Sequence, residues 1–343
     1  MKISRKALTT LLIILLPLAG IIAFLSQLVT INELVHPQHI DSLYVHVREA
    51  NYRSKLGENE KGASAHFYYN PGDLGMPFSD LDIVTVDSVT IKAWFIPPEY
   101  TDNNIILVLL HDLGESRISC LETASQFHDR GFTVVLPDLR AHGASGGSIF
   151  TFGQKERSDL LLLLDTLKKQ TSSDHITILA RGISCMIAVQ ALAEERSVRG
   201  LILQSPGDRL VDLIRDHSNG KWGILNNLLF GILKKNLEEE LGYSTDSIRT
   251  TALARDVYQS TMCIVGGEDK VVSPVYSKAV FDTLGICSPY PVIKEYWTIA
   301  GAGHYDIEKA GGEDYFNKIS LFLVKSIPAK EKKTRFKKLA EAQ

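Results

Sequence analysis

Cysteine is scarce in this 343-residue chain, and its four copies, Cys120, Cys185, Cys263 and Cys287, stand far apart. No Cys-x-x-Cys pair occurs, which excludes a disulfide-framed mini-domain, a zinc ribbon and a thioredoxin-type redox site. The ten histidines never fall in His-x-x-x-His or His-Glu-x-x-His spacing, so no metal site is expected. Gly143-Ala144-Ser145-Gly146-Gly147 is rich in glycine but lacks Gly-Lys-Ser/Thr and dinucleotide spacing, so no phosphate cradle and no cofactor are expected. Internal repeats and low-complexity runs are absent as well. What remains is ordinary for a globular chain: 45% apolar and 22% charged residues, enough to bury a sizeable core.

Charge is missing altogether from Ala7 to Asn32. A helix needs about 20 apolar residues to span a bilayer core, and this stretch is long enough. Pro17 and Gly20 within it are tolerated in membrane helices. A cleavable leader would carry a shorter apolar region of roughly 7–15 residues and a small-x-small site. Here the apolar character continues through Leu28 and Val29 with no Ala-x-Ala. An uncleaved anchor over residues 1–32 is therefore expected. Lys2, Arg5 and Lys6 precede it, while Glu33 and Asp41 follow. The positive-inside rule then leaves the N-terminus in the cytoplasm and the body on the extracytoplasmic side of the cell membrane, held by a single pass.

The net charge of −3 is unevenly distributed. Residues 1–6 carry +3 and residues 325–343 carry +5, which leaves −11 for residues 7–324. So acidic a body is a poor electrostatic partner for nucleic acid. The basic tail, 328–343, suits an anionic lipid surface, although a solvated tail is the commoner reading of such runs.

Residues 33–67 are polar and mixed and are expected to form a stalk with some helix. Thereafter short apolar runs alternate with amphipathic ones. Strands are expected at Asp82–Val86, Thr90–Ile96, Ile105–Leu110, Thr133–Pro137, Ile176–Leu179, Gly200–Gln204, Met262–Val265 and Val292–Ile299. Helices are expected near 117–130, 154–170, 183–195, 274–284 and 312–326. An early hairpin followed by strand–helix alternation argues for a mostly parallel eight-stranded α/β sheet with helices on both faces. Residues 206–260 lack a convincing strand and read as a small helical cap.

Two strand ends carry chemistry-bearing residues: Leu110-His111-Asp112-Leu113-Gly114, and Pro137-Asp138-Leu139-Arg140-Ala141-His142-Gly143-Ala144-Ser145. With Thr151-Phe152-Gly153 before a helix, these segments resemble the α/β-hydrolase superfamily. More narrowly, they resemble bacterial membrane-anchored serine esterases and serine peptidase-like hydrolases. The resemblance covers about residues 68–327. It implies a triad in the chain order nucleophile, acid, His. Gly266-Gly267-Glu268-Asp269 matches the acid segment, and Ala300-Gly301-Ala302-Gly303-His304 matches the histidine segment. Asp269 would orient His304 and stabilise its cation.

The nucleophile segment departs from that pattern. The family places Gly-x-Ser-x-Gly at a tight turn between strand and helix, with small residues two before and two after the serine. The strand Ile176–Leu179 runs into Ala180-Arg181-Gly182-Ile183-Ser184-Cys185-Met186. In one register Ala180 and Ser184 are the small flanks, and Gly182 replaces the serine. In the other, Ser184 is the nucleophile, flanked by Gly182 and Met186. Bulky Met186 spoils the second register, which also pushes Arg181 into the strand. The oxyanion would be held by the N–H groups of Leu113 and Ile183. Asp112 stands where the family usually has glycine, and a carboxylate there would oppose the developing charge.

Three expectations follow. The protein is a tethered α/β-hydrolase-like molecule whose covalent chemistry is lost or reduced because Gly182 replaces serine. The retained dyad could then act, slowly, on a water above Gly182. The alternative is an active serine esterase or peptidase using Ser184, Asp269 and His304. Its partners are the membrane, through the N-terminal helix, and a small-molecule ester or peptide ligand. Protease added to intact bacterial cells producing the chain should digest the body and leave the first residues protected. Recovery of a soluble, shortened body would instead show a cleaved leader.

Overall fold

The computed structural model describes residues 20, 27, 29–37, 68–99, 104–171, 173, 175–218 and 226–326. Most of the expected anchor (1–32), most of the stalk (33–67) and the basic tail lie outside these residues. Among the described residues no helix is long and apolar enough to cross a membrane.

Among the described residues eight strands form one sheet: β1 (Ser79–Val84), β2 (Thr90–Ile96), β3 (Ile106–Leu110), β4 (Thr133–Pro137), β5 (Ile176–Arg181), β6 (Gly200–Gln204), β7 (Ser260–Gly266) and β8 (Lys294–Ile299). Their spatial order is β1-β2-β4-β3-β5-β6-β7-β8. β1 pairs with β2, and β2 with β4, antiparallel; every other pairing is parallel. β3, β4 and β6 are buried at every residue. Strands covered on both faces read as unbroken apolar runs rather than alternating ones.

Around the sheet lie helices α1 (Leu121–His128), α2 (Glu156–Thr171), α3 (Ser184–Leu192), α4 (Leu210–Ser218), α5 (Asn226–Leu241), α6 (Thr250–Ala254), α7 (Pro274–Thr283) and α8 (Ile307–Lys325). Alternate residues of one strand enter opposite cores. Ile106, Val108 and Leu110 pack with α2, α3 and α5. Leu107 and Leu109 pack with α1 and α8. The expected cap, 206–260, is filled by α4, α5 and α6, with one isolated bridge, Arg209 to Arg249.

Several expected bounds shift, among them β5, which runs on through Arg181, and the last helix, which begins at Ile307. The first strand begins at Ser79, not Asp82, and Val86 falls in the following turn. At the start of the expected stalk the chain packs on the body. Residues 29–35 are helical, and Leu34 and Val35 are buried in the main core. The Phe150 N–H donates to the Val35 carbonyl at 2.8 Å, and Gln27 Nε2 donates to the Leu229 carbonyl at 3.2 Å.

The Asp138–Ser145 segment is the frame that holds the loops at the C-terminal sheet edge. Asp138 accepts from the Arg117 N–H (2.7 Å) and the Ala144 N–H (2.8 Å). A Cβ at Gly143, whose φ is +50°, would overlap that carboxylate, so glycine is required there. Arg140 is buried between Asp159, at 2.9 and 2.8 Å, and Asp87, at 2.8 and 3.0 Å. Burial pushes the Asp159 carboxyl above its usual range despite the arginine. Arg140→Met would leave that carboxylate buried without its partner, at a cost of about 3–5 kcal/mol. Urea unfolding measures the loss; a change under about 1 kcal/mol would show that the network is not a structural support.

Candidate functional site

At the end of β5 the chain turns into α3 through Gly182, whose φ is +51°. Such a left-handed conformation favours glycine. The Gly182 N–H is held by the Gln204 carbonyl at 2.9 Å. Ala180 and Ser184 flank the turn as small buried residues. Gly182 is thus at the apex, as in the first register.

Ser184 is the first residue of α3 and fully buried. Its Oγ donates to the carbonyls of Arg181 (2.8 Å) and Leu110 (3.2 Å) and accepts from the Arg181 N–H (2.8 Å). That hydroxyl knits the turn to β3 and does not face His304. Arg181 nonetheless belongs to the strand, since β5 extends through it. Its guanidinium is buried among Thr123 and Glu308, so an arginine at a strand end is accommodated.

The acid and the histidine come together. His304 Nδ1 lies 2.8 Å from Asp269 Oδ2, which also accepts from Ser205 Oγ at 2.7 Å. The other oxygen, Oδ1, accepts from the N–H groups of Val271 (2.9 Å) and Val272 (2.8 Å). Burial raises the Asp269 carboxyl, but His304 and these donors outweigh it and hold it below its ordinary value.

The far side of His304 is occupied by a residue whose role the sequence did not disclose. Asp112 Oδ2 lies 2.9 Å from His304 Nε2. Asp112 Oδ1 accepts from the Leu113 N–H at 2.7 Å and the Ile183 N–H at 2.8 Å. The two N–H groups expected to hold a substrate's oxyanion therefore do converge, and they converge on this carboxylate. A Cβ built on Gly182 would overlap both oxygens of Asp112. The carboxylate fills the volume a side chain at position 182 would need, so the water expected above Gly182 has no room. The sequence-level concern that Asp112 would oppose an oxyanion thus gives way to a different arrangement: Asp112 is itself the anion in that hole.

Asp112 is held there by its loop. His111 Nδ1–H donates to the Asp112 carbonyl (2.8 Å), and its Nε2 accepts from the Leu139 N–H (2.9 Å). His142 Nε2 accepts from the Gly114 N–H at 3.2 Å, and the two imidazoles pack with centroids 5.1 Å apart.

Electrostatically the three side chains form an anion–cation–anion row. Burial opposes the His304 cation, yet the carboxylates of Asp112 and Asp269 overcome it and raise the pKa to about 10. Burial likewise opposes the Asp112 anion, and His304 with the two N–H donors holds its pKa below the ordinary value. Among the described residues no group of three or more His, Cys, Asp or Glu is arranged to hold a metal ion.

The chain has the α/β-hydrolase fold. Residues 101–228 match the family of serine aminopeptidases, S33. An esterase from Pyrococcus furiosus superposes with a TM-score of 0.61 at 21% identity, covering 77% of this chain and 96% of its own. An α/β hydrolase from a Penicillium species gives 0.58 at 18% identity, over 73% and 99%. In sequence, an α/β-hydrolase domain-containing protein of Arabidopsis thaliana is 24% identical over 286 residues, 79% of this chain and 86% of that protein. An uncharacterized protein of Mycobacterium tuberculosis is 24% identical over 248 residues, 72% and 79% of the two chains.

The row predicts a pH signature. A histidine whose folded pKa is raised stabilises fully below its unfolded value of about 6.5, and that stability is lost as pH rises through about 10. The two depressed carboxyls contribute above their unfolded value, near 3.9, and fail only as pH falls through their lowered folded pKa. Between pH 6.5 and 10, Tm should therefore fall more steeply in the natural protein than in Asp112→Asn. Parallel curves in a calorimetric series would contradict the charged row.

Proposed function

We propose that this protein is a membrane-tethered, extracytoplasmic α/β-hydrolase-like molecule in which serine-based acyl transfer has been lost. One observation carries the reading: the Asp112 carboxylate lies where a nucleophile at position 182 would project, between His304 and the paired N–H groups of Leu113 and Ile183. Three requirements of acyl transfer fail together. Gly182 offers no hydroxyl. The general base is engaged by a carboxylate. The hole that must stabilise a developing oxyanion already holds one. Asp269 and His304 keep their positions as the acid and histidine of the ancestral site. Tethering rests on the uncharged run Ala7 to Asn32 with basic residues before it. A small-molecule ester or peptide is the ligand class that suits the fold's usual site.

The competing reading, an active esterase or peptidase using Ser184, needs that hydroxyl to abandon its bonds to Leu110 and Arg181 and to reach His304 past Asp112. Fluorophosphonate probes, which require an activated serine, separate the two. The natural protein and Gly182→Ser should both stay unlabelled, because the new Cβ meets Asp112. The double variant Asp112→Gly/Gly182→Ser, which clears the hole and restores a hydroxyl, should gain labelling. Strong labelling of the natural protein that disappears in Ser184→Ala would overturn the proposal.

A further inference from the structure

We propose that Asp112 is itself a nucleophile, and that the site hydrolyses alkyl compounds at a saturated carbon whose leaving group departs as a stable anion, such as a primary halide or sulfonate. This rests on the reading above that no serine occupies the site.

The two oxygens of the carboxylate are unequally engaged. Oδ1 accepts two N–H bonds, from Leu113 and Ile183, so both of its in-plane lone pairs are engaged. Oδ2 accepts one, from His304 Nε2, and keeps the other. Asp112 is also the most open of the three: its side chain retains 15% exposure, against 5% for His304 and 1% for Asp269. A carboxylate can serve as a covalent nucleophile. It is ill suited to acyl transfer, because attack on an ester gives a tetrahedral adduct that expels the carboxylate more readily than the alkoxide. A saturated carbon has no such return path.

The same donors then serve a second step. In the first step the free lone pair of Oδ2 forms a bond to carbon, and the carbon–leaving group bond breaks with its electron pair going to the departing anion. Asp112 becomes a neutral ester. His304 has lost the charge of one of its two partners, so its proton is less tightly held and passes to solvent. As a neutral base still oriented by Asp269, it takes a proton from water, and the hydroxide adds to Cγ. The negative charge that develops on Oδ1 is met by the Leu113 and Ile183 N–H groups already in place. Collapse breaks the Cγ–Oδ2 bond, His304 returns its proton to the departing alkoxide, and the carboxylic acid left at Asp112 passes the added hydroxide's proton to His304, which restores the ion pair. The products are an alcohol, the leaving-group anion and a proton, and Asp112 carries one oxygen from water.

The donor inventory narrows the substrate class. The N–H groups of Leu113 and Ile183 are spent on Oδ1, and those of Val271 and Val272 and the Ser205 hydroxyl are spent on Asp269. Among these contacts no acid stands free to protonate a leaving oxygen in the first step. An epoxide, which would leave as an alkoxide, is therefore disfavoured against a halide or sulfonate.

Methyl p-toluenesulfonate tests this, since a methyl group is the smallest alkyl unit that can reach the carboxylate. In 18O-labelled water, single turnover of the natural full-length chain should place one 18O in the peptide containing Asp112 and none in peptides with other carboxylates. In His304→Gln the second step should stall, and a 14 Da methyl adduct should accumulate on that peptide. Should His304→Gln fail to fold, the 18O result decides alone. Neither 18O nor adduct at Asp112, with fluorophosphonate labelling also absent, would overturn this proposal and leave the loss of serine chemistry standing. Fluorophosphonate labelling of Ser184 would overturn both.

Discussion

Everything at the C-terminal edge of the sheet is arranged around one ion pair, Asp112 with His304. Removing a charge from water is costly unless partners replace the lost solvation. Here each member is supplied with them. His304 has a carboxylate at each ring nitrogen. Asp112 has the imidazolium and two backbone N–H groups. Asp269 has the imidazolium, a hydroxyl and two N–H groups. The row is satisfied only because three separate loops, after β3, β7 and β8, meet the turn after β5 at one point.

That satisfaction ties positions 112 and 182 together. With Asp112 in place, any side chain at 182 collides with its carboxylate. With Gly182 in place but no carboxylate at 112, the Leu113 and Ile183 N–H groups lose their acceptor, and His304 loses half of its counter-charge. Neither residue is tolerable alone as readily as both are together, so the pair behaves as a single exchange of one anion-holding arrangement for another. The paired N–H groups of Leu113 and Ile183 hold a permanent anion, the Asp112 carboxylate; acyl-transfer enzymes use such paired donors for a transient one. The surrounding scaffold needs little adjustment, because the charge it meets has the same sign and nearly the same place.

Much of the fold was legible because fully buried parallel strands announce themselves as short apolar runs. β2, β4 and β6 stand at the residues expected, while β1 slips by three because its edge position leaves only alternate residues buried. The expected stalk misled at its first residues: Leu34 and Val35 lie in a polar stretch, and only tertiary packing against Phe150 and α5 shows that they belong to the core. At the site, Gly182 at the apex was readable from the steric demand for small residues at 180 and 184. The placement of the Asp112 carboxylate was not. Residue type disclosed a negative charge near the hole, but not that the space vacated at Gly182 would draw it in. A signal was present all the same: glycine at the tight turn after β5 and, seventy residues earlier, a carboxylate at the end of β3. Sequence separation hid that the two are complementary.

The central claim is that Asp112 sits against Nε2 of a charged His304, and the imidazole itself reports it. Nitrogen-15 NMR of the ring, followed from pH 5 to pH 11, should show both nitrogens protonated until pH approaches about 10. In Asp112→Asn the midpoint should move down toward the ordinary histidine value of about 6.5. A natural protein whose His304 already titrates near 6.5, unchanged by Asp112→Asn, would mean that the carboxylate does not occupy the nucleophile's place, and the account would be contradicted.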